Sequence, residues 1–234
     1  MQVSLGEIQT IIYRSGLAID LPVGIAVDIS LAARRMLSEN FGSLVPFVEA
    51  FNYFANGASD KFKFDDASKG VFFPKSEKKL LSSLFAGPSV CDLLSVKCSE
   101  IELQLITLNK VDIPVIILYQ ALVASNYLKA GITLSWHDSS TITFEAACWG
   151  GSLSLIKGNV EELFKIIPAK MILGTTLQKP HISKFISSNS FGSKAVEIDK
   201  KIWGYFSELS DYLLVEATEE SRLKGAGARI NDND

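Results

Sequence analysis

Histidine and cysteine are scarce in this chain. Its 234 residues include only His137 and His181 of the first, and Cys91, Cys98 and Cys148 of the second. An odd number of cysteines without metal-ligand spacing indicates neither a disulfide framework nor a zinc ribbon, and suits a reducing cytoplasm. With so few soft ligands a transition-metal site would have to rely on carboxylates, so no metal is expected and only a hard ion would fit. Phosphate-cradling glycine patterns are missing too: there is no G-x-G-x-x-G after a strand and no G-x-x-x-x-G-K-[ST]. The absence of a G-x-S-x-G elbow and of an H-E-x-x-H pair argues against an ordinary α/β-hydrolase or zincin.

Long apolar runs are equally lacking. The most apolar stretch, Ile113 to Leu128, is interrupted by Gln120, Ser125 and Asn126. It falls short of the roughly 20 residues of a membrane span, so it reads as a buried core helix. The opening residues, Met1 to Glu7, have neither the basic nor the apolar region of a signal peptide, which predicts a cytoplasmic protein. A formal net charge of -3 gives no electrostatic reason to expect nucleic acid or a membrane surface as partner.

What is present is material for a core, with 47% hydrophobic against 21% charged residues. That balance and the length predict one domain over 1–234. Ser4 and Glu7 make an S-x-x-E capping box before a helix from Leu5 to about Ser15, with Leu5, Ile8 and Ile12 on one stripe and Gly16 as its stop. Pro22 introduces a second helix, carrying Ile25, Ile29, Ala32 and Met36 at helical spacing and ending near Asn40. A third bears Leu44, Phe47, Val48, Phe51 and Phe54 and closes at Asn56-Gly57. Residues 1–57 therefore form a helical N-terminal subregion.

Residues 58–98 read as a connector. Between Ser59 and Lys79, six lysines face four acidic residues and interleave with phenylalanines. Such a pattern can stack on a single-stranded nucleic acid, but a surplus of two positive charges suits a solvated connector with anchoring aromatics. Short helices are expected near Leu80–Phe85 and Val90–Leu94, parted by Gly87-Pro88.

Residues 99–215 carry the strand signals. Glu100 to Leu105 alternates polar with apolar, and the buried helix spans Pro114 to Ala130 with Gly131 at its C′ position. Ile132, Leu134 and Trp136 then alternate with Thr133, Ser135 and His137. Across Asp138-Ser139-Ser140 the alternation resumes at Ile142, Phe144 and Ala146, the clearest hairpin in the chain. Ser152–Lys157 and Lys170–Thr176 are further strands, Val160–Ile167 a short helix, and Ile198, Ile202, Tyr205, Phe206 and Leu209 a late helical stripe. Tyr212–Val215 could add a last strand. The predicted class is α+β, with an N-terminal helical layer followed by a mainly antiparallel sheet covered by helices.

Sites are harder to read. A turn centred on Ser139 sets Cys148 opposite Ala130 and leaves it roughly 20 Å or more from His137, too far for a Cys–His dyad. Cys148-Trp149-Gly150-Gly151 is the most enzyme-like run, since a cysteine entering a glycine turn can lie beside backbone donors, with His181 as an available partner; the bland alternative is a buried inert thiol. The glycine-rich tail, 216–234, has two readings. Its composition suits a frayed end. Alternatively Glu219, Ser221 and Arg222 orient a polar ligand beside Gly225-Ala226-Gly227, while Asp232 and Asp234 supply hard oxygen donors.

That tail also carries a resemblance. The Ala217-Thr218-Glu219-Glu220-Ser221-Arg222 run, Gly225-Ala226-Gly227-Ala228 and Asp232-Asn233-Asp234 resemble the ending of a bacterial, mainly proteobacterial, family of unknown function. Val3-Ser4-Leu5-Gly6-Glu7-Ile8, Gly16, Gly24, Ala26 and Ala32-Ala33-Arg34 are similar to its opening, and Leu134-Ser135-Trp136 to a mid-chain feature. Arg229 and Gly6 depart from its pattern. The resemblance implies no activity, cofactor or catalytic residue; it implies a docked tail. The functional expectation is a small-molecule-binding protein or metabolic enzyme of unknown substrate, with Glu219, Ser221, Arg222, Asp232 and Asp234 as ligand-binding residues. The alternative is an accessory subunit that forms a homo-oligomer or docks on a partner protein.

Overall fold

A computed structural model describes residues 1–38, 42–65, 70–97, 105–137, 143–165, 167–177, 185–187 and 195–213. Strand β1 (Gln2–Ser4) leads into α1 (Leu5–Ala18), where Ser4 and Glu7 complete the capping box in both directions. The helix does not stop at Gly16. It runs on because Gly16 is buried against α2 (Val23–Ser38): a Cβ there would stand 3.2 Å from that of Ala26, so the missing side chain lets the two helices close together. Helix α3 (Val45–Ala55) follows, with Pro46 in its first turn.

The stretch expected to be a solvated connector is instead sheet. Strands β2 (Ser59–Asp60), β3 (Phe62–Asp65), β4 (Val71–Pro74) and β5 (Leu80–Leu81) all pair within it. Phe62 and Phe64 both pack their rings on Phe72, at 4.8 and 4.9 Å between centroids. Lys61 and Lys63 alternate with them and are exposed, so alternation rather than net charge decides this segment. Next, α4 (Ser83–Lys97) is one helix through Gly87-Pro88, where two short ones were expected. Burial of Leu84, Phe85, Ala86, Val90 and Leu94 outweighs the roughly 3 kcal/mol of an interior proline, at about 1.5–3 kcal/mol per large side chain.

The expected strand Glu100–Leu105 lies, apart from Leu105, outside the described residues; β6 spans Leu105–Val111. Helix α5 (Pro114–Ala124) is buried from Pro114 through Leu122, ending before the Ala130 anticipated for it, and Gly131 opens a strand rather than capping it. The hairpin is β7 (Gly131–His137) with β8 (Thr143–Trp149). Ile132, Leu134 and Trp136 are buried while His137 is exposed, and Trp136 stacks on its cross-strand partner Phe144 at 5.0 Å. Strands β9 (Ser152–Lys157), β10 (Ala169–Thr176) and β11 (Phe185–Ser187) follow, with a 3-10 turn at Val160–Glu162 in place of the expected helix. Last come β12 (Ala195–Glu197) and α6 (Lys200–Asp211); Tyr212 and Leu213 form a turn and not a strand.

The main sheet runs β11-β9-β8-β7-β10-β6-β4-β3, with β5 joining at β6 and β2 at β5. It is antiparallel except where β4 and β5 meet β6 and where β2 meets β5. Helices and sheet together give the α+β architecture that the patterning predicts. Far-apart segments meet in the helical layer: β1 pairs antiparallel with β12, Ser15 donates its hydroxyl to the Phe206 carbonyl at 2.8 Å, and Phe51 meets Phe206 edge-on at 5.5 Å. Among the described residues no helix is long and apolar enough to cross a membrane.

Candidate functional site

The residues singled out for ligand binding, Glu219, Ser221, Arg222, Asp232 and Asp234, lie outside the described residues, as does His181. Cys148 is described, and it is wholly buried. Burial pushes its thiol well above the ordinary value, the nearby Cys91 adds to this, and Arg35 offsets part of it. In the observed register Cys148 faces Ile132, two residues along from the expected Ala130, while His137 faces Thr143. Five strand residues, about 17 Å, separate the two ends, so no dyad forms between them. Beyond Cys148 the chain turns at Gly150 and Gly151, with φ of 52° and 72°, the two positive values a two-residue hairpin turn requires. The turn serves packing as well: the buried Arg35 donates to the Gly151 carbonyl at 3.0 Å.

Another buried ionisable group is Asp112, between β6 and α5. Its Oδ1 accepts the backbone N–H groups of Ser83 at 2.8 Å and of Ile113 at 2.7 Å, capping α4. Burial pushes its carboxyl up to about 6, with the Ser83 hydroxyl, the Ser83 and Ile113 N–H groups and the Ser59 hydroxyl offsetting part of the effect. Its Oδ2 has no hydrogen-bond partner among the described residues. Its two backbone hydrogen bonds give the carboxylate a structural role.

A concavity of about 750 Å³ lies where sequence reasoning placed a connector. Lys63 and Phe64 of β3, Phe73 and Pro74 of β4, and Asn109 and Lys110 of β6 line it, with Glu77 at its side. Its volume is in the range of small-molecule sites, and it joins aromatic wall to ammonium groups. Register explains the placement of Lys110. Ala169 of β10 pairs with Val111 and Met171 with Leu108, so Lys170 alone spans Asn109 and Lys110, a β-bulge. At that bulge Lys110 takes φ 57°, a left-handed conformation costing a non-glycine residue about 1–2 kcal/mol. Its Nζ is thereby carried to the Glu77 carbonyl, to which it donates at 2.9 Å. Part of the signal was available, since Lys63 and Phe64 belong to the run of interleaved lysines and phenylalanines; the bulge has no sequence mark.

This arrangement of helices around a mainly antiparallel sheet is similar to that of dehydrogenases of known structure. The chain aligns with the sulfolactate dehydrogenase from Methanocaldococcus jannaschii at a TM-score of 0.58 and 10% identity, over 90% of this chain and 97% of the other. Against the malate dehydrogenase from Pyrococcus horikoshii OT3 the TM-score is 0.53 at 10% identity, over 96% and 90% of the two chains. At this identity the likeness is one of fold. No protein-family model matches the sequence, and no curated protein matches it.

Proposed function

We propose that the chain is a small-molecule-binding protein whose ligand, an organic anion with a flat apolar portion, occupies the basin formed by β3, β4 and β6. The observation that carries this reading is Lys110, held in a costly left-handed bulge on the wall of a basin that Lys63, Phe64 and Phe73 also line. A bulge that re-aims a side chain is a recurrent device next to binding sites. One of the three Lys110 donors is engaged by Glu77, leaving two for a carboxylate. The fold-level neighbours support the anion by analogy alone, since sulfolactate and malate are organic acids. Whether the ligand is also a substrate is a further step of the same proposal, and the tail residues Glu219, Ser221, Arg222, Asp232 and Asp234 belong to it as additional contacts.

Calorimetric titration with malate, sulfolactate and benzoate tests the reading. Saturable binding of at least one, weakened about tenfold or more in Lys63→Ala and Lys110→Ala, is expected. Failure of all three, or binding by both variants as tight as by wild type, overturns it. The accessory-subunit reading is supported by Val23 and Val27, one turn apart on α2 and 62% and 38% exposed. Light scattering of wild type against Val23→Ser/Val27→Ser, showing a larger species only in wild type, would favour it.

A further inference from the structure

Strand β3 ends the main sheet, with β4 on one side and no strand on the other among the described residues. Its outer edge carries backbone groups that pair with nothing described. Lys75 donates its N–H to the Lys61 carbonyl at 2.9 Å, and Phe62 faces Pro74, which has no N–H to give. Bonded positions alternate along an antiparallel pair, so Lys61, Lys63 and Asp65 turn their backbone groups to β4 while Phe62 and Phe64 turn theirs outward. No hydrogen bond reaches these outward groups among the described residues. Such a row of open N–H and C=O groups is a template for another strand.

Lysines often keep an edge unpaired by repulsion. In Lys61-Phe62-Lys63-Phe64-Asp65, however, the strand supplies its own counter-charge. A second copy related by a two-fold axis lies antiparallel, and the residue on the axis fixes which residues face each other. Centring on Phe62 sets Lys61 against Lys63 on both sides of the axis. Centring on Lys63 sets that lysine against itself. Centring on Phe64 sets Lys63 against Asp65 on both sides and Phe64 against its own counterpart, with no like charges opposed. Opposite charges and aromatic rings directly across a pair are favourable, whereas like charges are not. Charge therefore selects one self-complementary register, and the occupant that fits it is another copy of this chain.

Exposure at the edge agrees with that choice. Lys63 is exposed, and Phe64 remains 37% exposed although its ring packs on Phe72. A counterpart ring across the axis covers the part that water now reaches.

We propose that two copies of the chain join through β3, antiparallel about a two-fold axis at Phe64, so that their sheets become continuous. Phe64 exchanges N–H to C=O bonds with its counterpart, and Lys63 of each copy pairs with Asp65 of the other. Lys63 and Phe64 also line the anion basin, so the contact borders it. The proposal does not rest on the anion reading, because its test measures assembly with no ligand added.

Sedimentation velocity of the full chain over a concentration series is compared with that of Lys63→Glu, Asp65→Lys and the double reversal Lys63→Glu/Asp65→Lys. Wild type is expected to dimerise, each single reversal to weaken the dimer about tenfold or more, and the double reversal to restore it. Hydrogen exchange supplies a second readout, since the Phe64 amide should become more protected as concentration rises in wild type. Circular dichroism checks that each variant folds. A wild type that stays monomeric throughout, single reversals that leave the dimer unchanged, or a double reversal that fails to recover overturns the proposal. A dimer in which the Phe64 amide gains no protection also overturns it, since the contact then lies elsewhere.

Discussion

Asp112 Oδ1 accepts the backbone N–H of Ser83 at 2.8 Å, and this contact ties the start of α4 to the end of β6. Asp112→Ala orphans that N–H and the one of Ile113, and should cost about 1–3 kcal/mol in a denaturant melt. Asp112→Asn keeps an acceptor and should cost far less. The two variants also differ in pH response. The folded carboxyl lies near 6 against an ordinary 3.8, so its stabilising contribution is complete below about 3.8 and is lost as pH rises through 6. Wild type should therefore lose stability relative to Asp112→Asn between pH 4 and 6, roughly; parallel pH profiles would refute the assignment.

Gly87→Ala should destabilise by about 1–3 kcal/mol, because the new methyl group overlaps the Gln120 amide. Combining it with Gln120→Ala should recover part of the loss, giving a coupling energy of about 0.5 kcal/mol or more in a double-mutant cycle. Strictly additive losses would mean that the helices separate instead.

How much of this was legible in the sequence depends on which force dominates each segment. The capping box of α1 was readable because Ser4 and Glu7 act locally. The β7–β8 hairpin was readable because Ile132, Leu134 and Trp136 face one core. Its register was misplaced by two residues, since a polar turn carries no marker of where pairing begins. The strands β2 to β5 were missed because lysine content masked the alternation of Phe62 and Phe64. Helix α4 was split because Gly87 and Pro88 signal a break locally, while long-range packing holds the helix together. The basin was invisible for a related reason, as it depends on a bulge in β6 against β10.

Ser4→Ala removes the cap hydroxyl that accepts the Glu7 N–H at 3.2 Å, and should cost about 1 kcal/mol. Hydrogen bonds from the Ser4 hydroxyl and then the Ser4 N–H hold the Glu7 carboxyl below its ordinary value. An NMR titration of Glu7 should thus move upward in Ser4→Ala. An unchanged titration would show that the box does not persist in solution.

Cys91 and Cys148 are both buried, and burial is the first cause raising each thiol. Iodoacetamide should modify neither in the native state and both after denaturation, read by peptide mass spectrometry. Rapid native labelling of Cys148 would revive the nucleophile reading.

Lys110→Gly should relieve the left-handed strain and leave stability unchanged or raised by about 1 kcal/mol, while weakening anion binding in the basin. Joint loss of stability and binding would show that the bulge depends on the lysine contact with Glu77.

The pairing of β1 with β12, and of α1 and α3 with α6, has a consequence for synthesis. Ser15 and Phe51 emerge from the ribosome long before Phe206, on which both close. The first helices of the chain therefore wait, with apolar faces open, until the last described helix is made. Contacts that bridge 191 residues, as Ser15 to Phe206 does, place completion of this layer after translation has passed Phe206 and make it a slow, late step of folding.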